Sequence, residues 1–176
     1  MKAELRRLLS ALSLIALWPH AGLTWADELP EYRLKAAFLY NFALFTEWPA
    51  EVGATLNLCI HGTDPFGKEI DALQDKAVGP RSIAVQRRRA NESLKGCQVV
   101  FIAASAIGNL PRVLDELRDL PVLTVADSPG ATHQGVALNM ALTQSKISFQ
   151  ANLLAARAAK LNLSSKLLRL ASEVQQ

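Results

Sequence analysis

The chain has 176 residues with 19 Lys and Arg against 16 Asp and Glu. Lys2, Arg6 and Arg7, set against Glu4, supply most of that excess, so residues 27–176 carry 16 basic and 15 acidic side chains. A balance near +1 excludes the long-range positive field by which a protein gathers nucleic acid, while the remaining 150 residues suffice for one domain with a real core.

Residues 1–26 read as a secretory signal peptide: basic residues, an apolar run from Leu8 to Trp18, and a small residue, Ala26, at the expected cleavage point. That run is well short of the roughly 20 residues a spanning helix needs, and no later stretch qualifies. The expectation is export, cleavage near Ala26, no membrane span, and a single domain over residues 27–176.

Lys35 to Pro49, KAAFLYNFALFTEWP, is the most apolar long stretch and reads as a buried helix. At helical spacing Leu34, Ala37, Phe38, Phe42, Phe45 and Trp48 share one face, with Asn41 among them. The opposite side carries Leu39, Tyr40 and Ala43 beside Lys35 and Glu47, more apolar than the back of a surface helix should be. That surplus predicts a patch for a partner protein or a homodimer interface.

Short apolar runs follow. Leu56 to His61 is an expected strand, Asp64-Pro65 an N-cap and first-turn proline for a helix to about Leu73, and Gly79-Pro80 a turn. Ser82 to Arg88 alternates as a half-buried strand, Val99 to Ile102 and Val122 to Ala126 are continuous buried runs, and Leu110 to Leu120 is helical between them. The link from Arg89 to Gly96 is short for a parallel crossover and leaves the relative direction of its strands open. Val136 to Leu142 and Lys146 to Gln150, separated by Thr143-Gln144-Ser145, form an antiparallel hairpin; Asn152 caps a helix over 153–160, and a last helix is expected over 164–174. The fold class is therefore α/β: one domain, a mixed sheet with flanking helices and an antiparallel hairpin near the C-terminus.

Cys59 and Cys97 are the only cysteines. In an exported chain an even pair tends to close, so a bridge is the first expectation and two buried unpaired thiols the alternative. Two cysteines cannot complete a structural zinc site, and His61 and His133 stand far apart, so no metal and no cofactor is expected. Nucleophile elbow, phosphate loop, dinucleotide fingerprint and zinc-protease motif are all absent, which argues against an enzyme.

Gly62 to Gly67, GTDPFG, offers backbone N–H groups, although the charge of Asp64 opposes an anion there. Thr63 and Asp64 after one strand, with Asp127 and Ser128 after another, could line a ligand crevice at strand carboxyl ends, or serve as plain turn residues. Arg87-Arg88-Arg89 is a solvated strand end or a docking patch for an acidic partner or anionic lipid headgroups.

The segments KAAFLYNFALFTEWP, LNLCIHGTDPFG, LKGCQVVFIA and KISFQANLLAARAAKLNLSSKLLRLA, in this order, resemble the YfiR family of bacterial periplasmic proteins over essentially all of residues 27–176. The resemblance implies a mixed-sheet α/β domain in the periplasm without known catalysis. It also implies repression of an inner-membrane diguanylate cyclase through that enzyme's periplasmic sensory domain. Cys59 and Cys97 match cysteines that pair in the family, whereas a second pair found around the hairpin of its namesake has no counterpart in residues 132–140. The expected function is thus non-enzymatic regulation by contact with a membrane-bound signalling protein; the alternative is a small-molecule-binding protein using the Asp64 and Asp127 crevice.

Overall fold

The continuous apolar runs become neighbouring parallel strands, because only a strand covered on both faces has use for apolar side chains at every position. The computed structural model describes residues 28–144 and 146–176; the expected signal peptide lies outside them. At the centre are β2 (Thr55–His61), β5 (Val99–Ile102) and β6 (Leu123–Ala126). Strand β4 (Arg81–Arg88) lies parallel to β2 on its other side, edged by the two-residue β3 (Ala77–Val78). Beyond β6 come β7 (Leu138–Thr143), parallel to it, and β8 (Lys146–Asn152), antiparallel to β7. A short β10 (Glu173–Gln175) pairs in parallel with β8 and completes the mixed sheet, in the order β10-β8-β7-β6-β5-β2-β4-β3. The expected α/β class and C-terminal hairpin are both present.

Two helical layers cover the sheet. One face carries α1 (Glu28–Leu44), the four-residue α2 (Lys68–Asp71), α4 (Leu153–Ala158) and α5 (Ser165–Leu168), whose buried side chains merge with Leu56, Leu58, Ile60, Phe101, Val125 and Phe149. The other carries α3 (Leu110–Glu116), packed through Leu110 and Val113 against Cys59, Val100, Ile102 and Ala126. A separate two-stranded ribbon joins β1 (Thr46–Glu47), just after α1, to β9 (Asn162–Leu163), so the segment leaving α1 is tied to the segment between α4 and α5.

The short link after β4 does connect parallel strands. Strands β4 and β5 lie on opposite sides of β2, so residues 89–98 cross over β2 by way of two turns, closed by Glu92 N–H to the Arg89 carbonyl and Cys97 N–H to the Leu94 carbonyl, and need no helix. Leu94 and Cys97 of that link are buried, and Cys97 is disulfide-bonded to Cys59 of β2 with a Cα separation of 5.9 Å. The Glu116 carboxylate of α3 accepts from the Ser93 hydroxyl at 2.7 Å and from the Leu94 N–H at 2.8 Å, fastening the link from above.

Two expectations are corrected. Helix α1 starts earlier and ends at Leu44, and its buried stripe is Lys35, Ala36, Leu39, Phe42 and Ala43, while Leu34 and Ala37 are exposed. Leu39 and Ala43 are each 1% exposed, so they belong to the core and cannot form the surface patch expected of them. Tyr40, half-buried beside them, spends its hydroxyl on the Ala77 carbonyl at 2.9 Å. The second correction is at the C-terminus: only Ser165–Leu168 is helical, capped by the Ser164 hydroxyl, and Val174 sits in edge strand β10. By contrast Asn152 caps α4 as expected, accepting from Ala155 N–H at 2.9 Å.

The bridge closes a loop of 38 residues in sequence separation, which the chain-entropy treatment values at about 4 kcal/mol. Replacing both cysteines with serine is expected to lower the melting midpoint by about ten degrees. Thiol titration of the unreduced, denatured protein should find no free thiol. Two reactive thiols per chain, or an unchanged midpoint, would contradict the assignment.

Candidate functional site

The carboxyl ends of β2 and β6 meet the first turns of α1, and there the fold gathers its most concentrated chemistry. Lys35 and Asp127 are buried to 4% and 5% side-chain exposure and paired at 2.7 Å. Glu31, one turn earlier on α1, contacts the same ammonium, and the Tyr32 ring lies 4.5 Å from it. The Tyr32 hydroxyl donates to Asp127 Oδ2 at 3.1 Å. Burial opposes the charged form of Lys35, but its hydrogen bonds to Asp127 and Glu31 more than offset this and hold the ammonium above its ordinary value. Burial first, and the Asp127 carboxylate second, push the Tyr32 hydroxyl up to about 12. Tyr32 is therefore a fixed donor at any neutral pH.

Tyr32 also fills the crevice expected between Asp64 and Asp127. Its ring stands edge-on to Phe66 at 5.2 Å, and Phe66 stands edge-on to Phe101 at 4.8 Å, a continuous aromatic column from helix to sheet. Asp64 is occupied as well: one oxygen accepts the Phe66 N–H at 2.7 Å and the other accepts Arg87 Nε at 2.8 Å. It therefore caps a turn ahead of α2, which begins at Lys68 with Gly67 before it. Thr63 donates its backbone N–H to the Ser105 hydroxyl at 2.8 Å. That approach needs the preceding glycine, since a Cβ on Gly62, at φ 103°, would stand 2.7 Å from the same oxygen. Ser128 is buried at the start of the following turn. Thr63, Asp64 and Asp127 thus spend the polar groups named here on other residues of the protein, and the Ser128 carbonyl accepts the Ala131 N–H at 3.2 Å.

The arginine run divides. Arg87 bridges Asp64 and Asp71 and donates to the Gly67 carbonyl, and those bonds, to Asp71 first and Asp64 second, raise its already high pKa. Arg88 points to the opposite face, donating to Gln86 at 2.6 Å, and Arg89 is exposed. The structure thus breaks the apparent basic cluster into one internal cross-link and two separate side chains. Beside Arg88 on the neighbouring strand, His61 is 2% exposed and neither ring nitrogen has a partner among the described residues. Burial lowers its pKa, and the Glu116 carboxylate across the layer offsets part of that shift.

Nothing in this arrangement pairs a nucleophile with a base. Among the described residues no group of three His, Cys, Asp or Glu side chains could hold a metal ion, and no helix is long and apolar enough to cross a membrane. What the geometry leaves outward on α1 is a ridge of Leu34, Ala37, Asn41 and Leu44, flanked by half-buried Phe38 and Phe45. Helical periodicity in the sequence finds this helix but not its phase, because a lysine marks its buried side.

Compared with known proteins, residues 32–172 match the family described as YfiR/HmsC-like. No curated protein matches the chain.

Removing one member of a buried ion pair strands the other, so Lys35→Met or Asp127→Asn alone is expected to destabilise by about 3–5 kcal/mol. The double variant should recover a substantial part of that loss in denaturant unfolding; additive losses would contradict the pairing. His61 supplies a pH dependence. Its folded-state pKa lies below the ordinary 6.5, so as pH falls below that value the unfolded chain takes up a proton the folded one refuses. Stability should fall from there down to the folded pKa, by at most about 1.4 kcal/mol per pH unit. His61→Gln should flatten that limb, and a slope identical to wild type would contradict the assignment.

Proposed function

Because this chain belongs to the YfiR/HmsC-like family, we propose that it is a periplasmic, non-enzymatic regulator. It binds, and by binding represses, the periplasmic sensory part of an inner-membrane signalling enzyme of the diguanylate cyclase kind. The observation that carries this reading is the outer ridge of α1. Leu34 and Leu44, at 46% and 41% exposure, stand on one uncharged stripe with Ala37 and Asn41, with half-buried Phe38 and Phe45 nearby. An apolar stripe at the centre with polar neighbours at its edge suits a protein contact. The disulfide accords with an oxidising compartment, where the expected signal peptide would deliver the chain. The same ridge, presented by two copies, is the place for a symmetric homodimer, which competes with or supports partner binding.

The test is binding of residues 27–176 to the isolated periplasmic domain of a diguanylate cyclase encoded beside this chain. Measurable affinity is expected, together with a loss of at least tenfold in a Leu34→Glu, Leu44→Glu variant whose melting midpoint is unchanged. Light scattering of both forms reads the dimer independently. No binding by the wild type contradicts the regulatory reading; binding undiminished in the variant relocates the interface away from α1.

A further inference from the structure

The acidic residues are distributed very unevenly. No Asp or Glu occurs from Ser128 to Ser172, while Lys146, Arg157, Lys160, Lys166 and Arg169 all fall within that stretch. Every ion pair among the described residues lies between Glu31 and Asp127. All five of these basic side chains are exposed, and none has an ion-pair partner among the described residues. Structure adds a second feature to the charge. The two most exposed large apolar side chains of the described protein, Leu154 at 62% and Leu170 at 72%, occur in the same stretch.

Each leucine has basic company close by in the chain. Arg157 follows Leu154 by three positions on α4; Leu170 lies in the turn just beyond α5, next to Arg169 at the helix C-cap and four positions after Lys166. Both short helices turn their inner residues, Leu153, Ala156 and Leu167, into the main core, so Leu154, Arg157 and Lys166 are left outward on them, with Arg169 and Leu170 exposed in the turn after α5.

We propose that this basic, leucine-tipped surface of α4 and α5 docks on an anionic lipid surface. Unpaired cations at the outside seek phosphate headgroups, and single leucines beside them have apolar chains to enter. An acidic protein partner is the weaker match. It would be met by a contiguous apolar centre with a charged rim, whereas here isolated leucines alternate with isolated cations. The arginine run of β4, by contrast, is a poor lipid site, since Arg87 is already neutralised by Asp64 and Asp71. This inference goes beyond the regulatory reading and is tested apart from it, although the two are compatible: a regulator held at the membrane meets a membrane-bound partner at raised local concentration.

The experiment is cosedimentation of residues 27–176, which contain every element of the described fold, with vesicles of phosphatidylglycerol and phosphatidylcholine or of phosphatidylcholine alone. Binding is expected only to the anionic vesicles, weakening as salt is raised from about 0.1 M to about 0.5 M. At about fivefold per cation near an anionic surface, Lys166→Gln with Arg169→Gln should weaken it by about 25-fold. Leu154→Ser with Leu170→Ser should also weaken it, and at high salt as well as low. No binding to anionic vesicles overturns the proposal, as does equal binding by wild type and the charge variant, or equal binding to both vesicle types. Capture by immobilised polyglutamate without vesicle binding, lost in the charge variant, would overturn it in favour of an acidic protein surface. An uncharged α1 ridge variant, Leu34→Ser with Leu44→Ser, separates the two readings, since it should bind vesicles like wild type whatever becomes of the cyclase contact.

Discussion

The buried pair of Lys35 and Asp127 decides how this molecule presents itself. Taking an ammonium and a carboxylate out of water costs several kcal/mol per ion unless geometry and additional hydrogen bonds make up for it. Here a 2.7 Å contact, Glu31, and the Tyr32 ring serve the cation, while the Tyr32 hydroxyl serves the anion. Rotating α1 by a fraction of a turn would leave both charges buried and unpaired. The pair therefore fixes the phase of the helix more tightly than its abundant apolar side chains can, for those would pack acceptably in several orientations. Once the phase is set, Leu39, Phe42 and Ala43 face the sheet and Leu34, Ala37 and Leu44 face out. The outward surface of α1 follows from a charge buried beneath it.

A similar economy of contacts governs the rest of the carboxyl edge. Asp64, Asp127, Arg87 and Tyr32 have the residue types of a ligand site, yet each satisfies another member of the set. The outcome is a rigid edge that joins α1, the α2 turn and three strands. On the opposite face the disulfide and the Glu116 hydrogen bonds do the equivalent work for the link across β2. The ion pairs of the described residues all fall in the first two thirds of the fold, and the cations of the last third have none.

Much of the architecture is legible in the sequence. Val99–Ile102 and Leu123–Ala126 announce central strands because they are short, apolar without alternation and bounded by turns. The three-residue gap before Lys146 announces the hairpin. The phase of α1 is not legible, because a lysine normally marks solvent and its partner lies 92 residues away. Leu163, Leu167, Leu170 and Val174 keep helical spacing, but a pattern of one apolar residue in three or four does not exclude a single turn followed by an edge strand; pairing of Glu173–Gln175 with β8 settles it for the strand. Likewise Arg87-Arg88-Arg89 looks like one basic feature only until strand alternation sends neighbouring side chains to opposite faces. The acid-free run from Ser128 to Ser172 is visible to anyone counting charges, but its significance depends on knowing that the five cations have no ion-pair partner among the described residues and that Leu154 and Leu170, near three of them, are exposed.

With its charge pair buried and its apolar stripe in the sheet interface, α1 is a locked part of the core rather than a detachable surface helix. Native-state hydrogen exchange tests it most directly. The amides of residues 36–44 should exchange only through global unfolding, with the same opening free energy and denaturant dependence as those of β2 and β5. Exchange of these amides through a local opening, at markedly lower free energy than the central strands, would contradict the account.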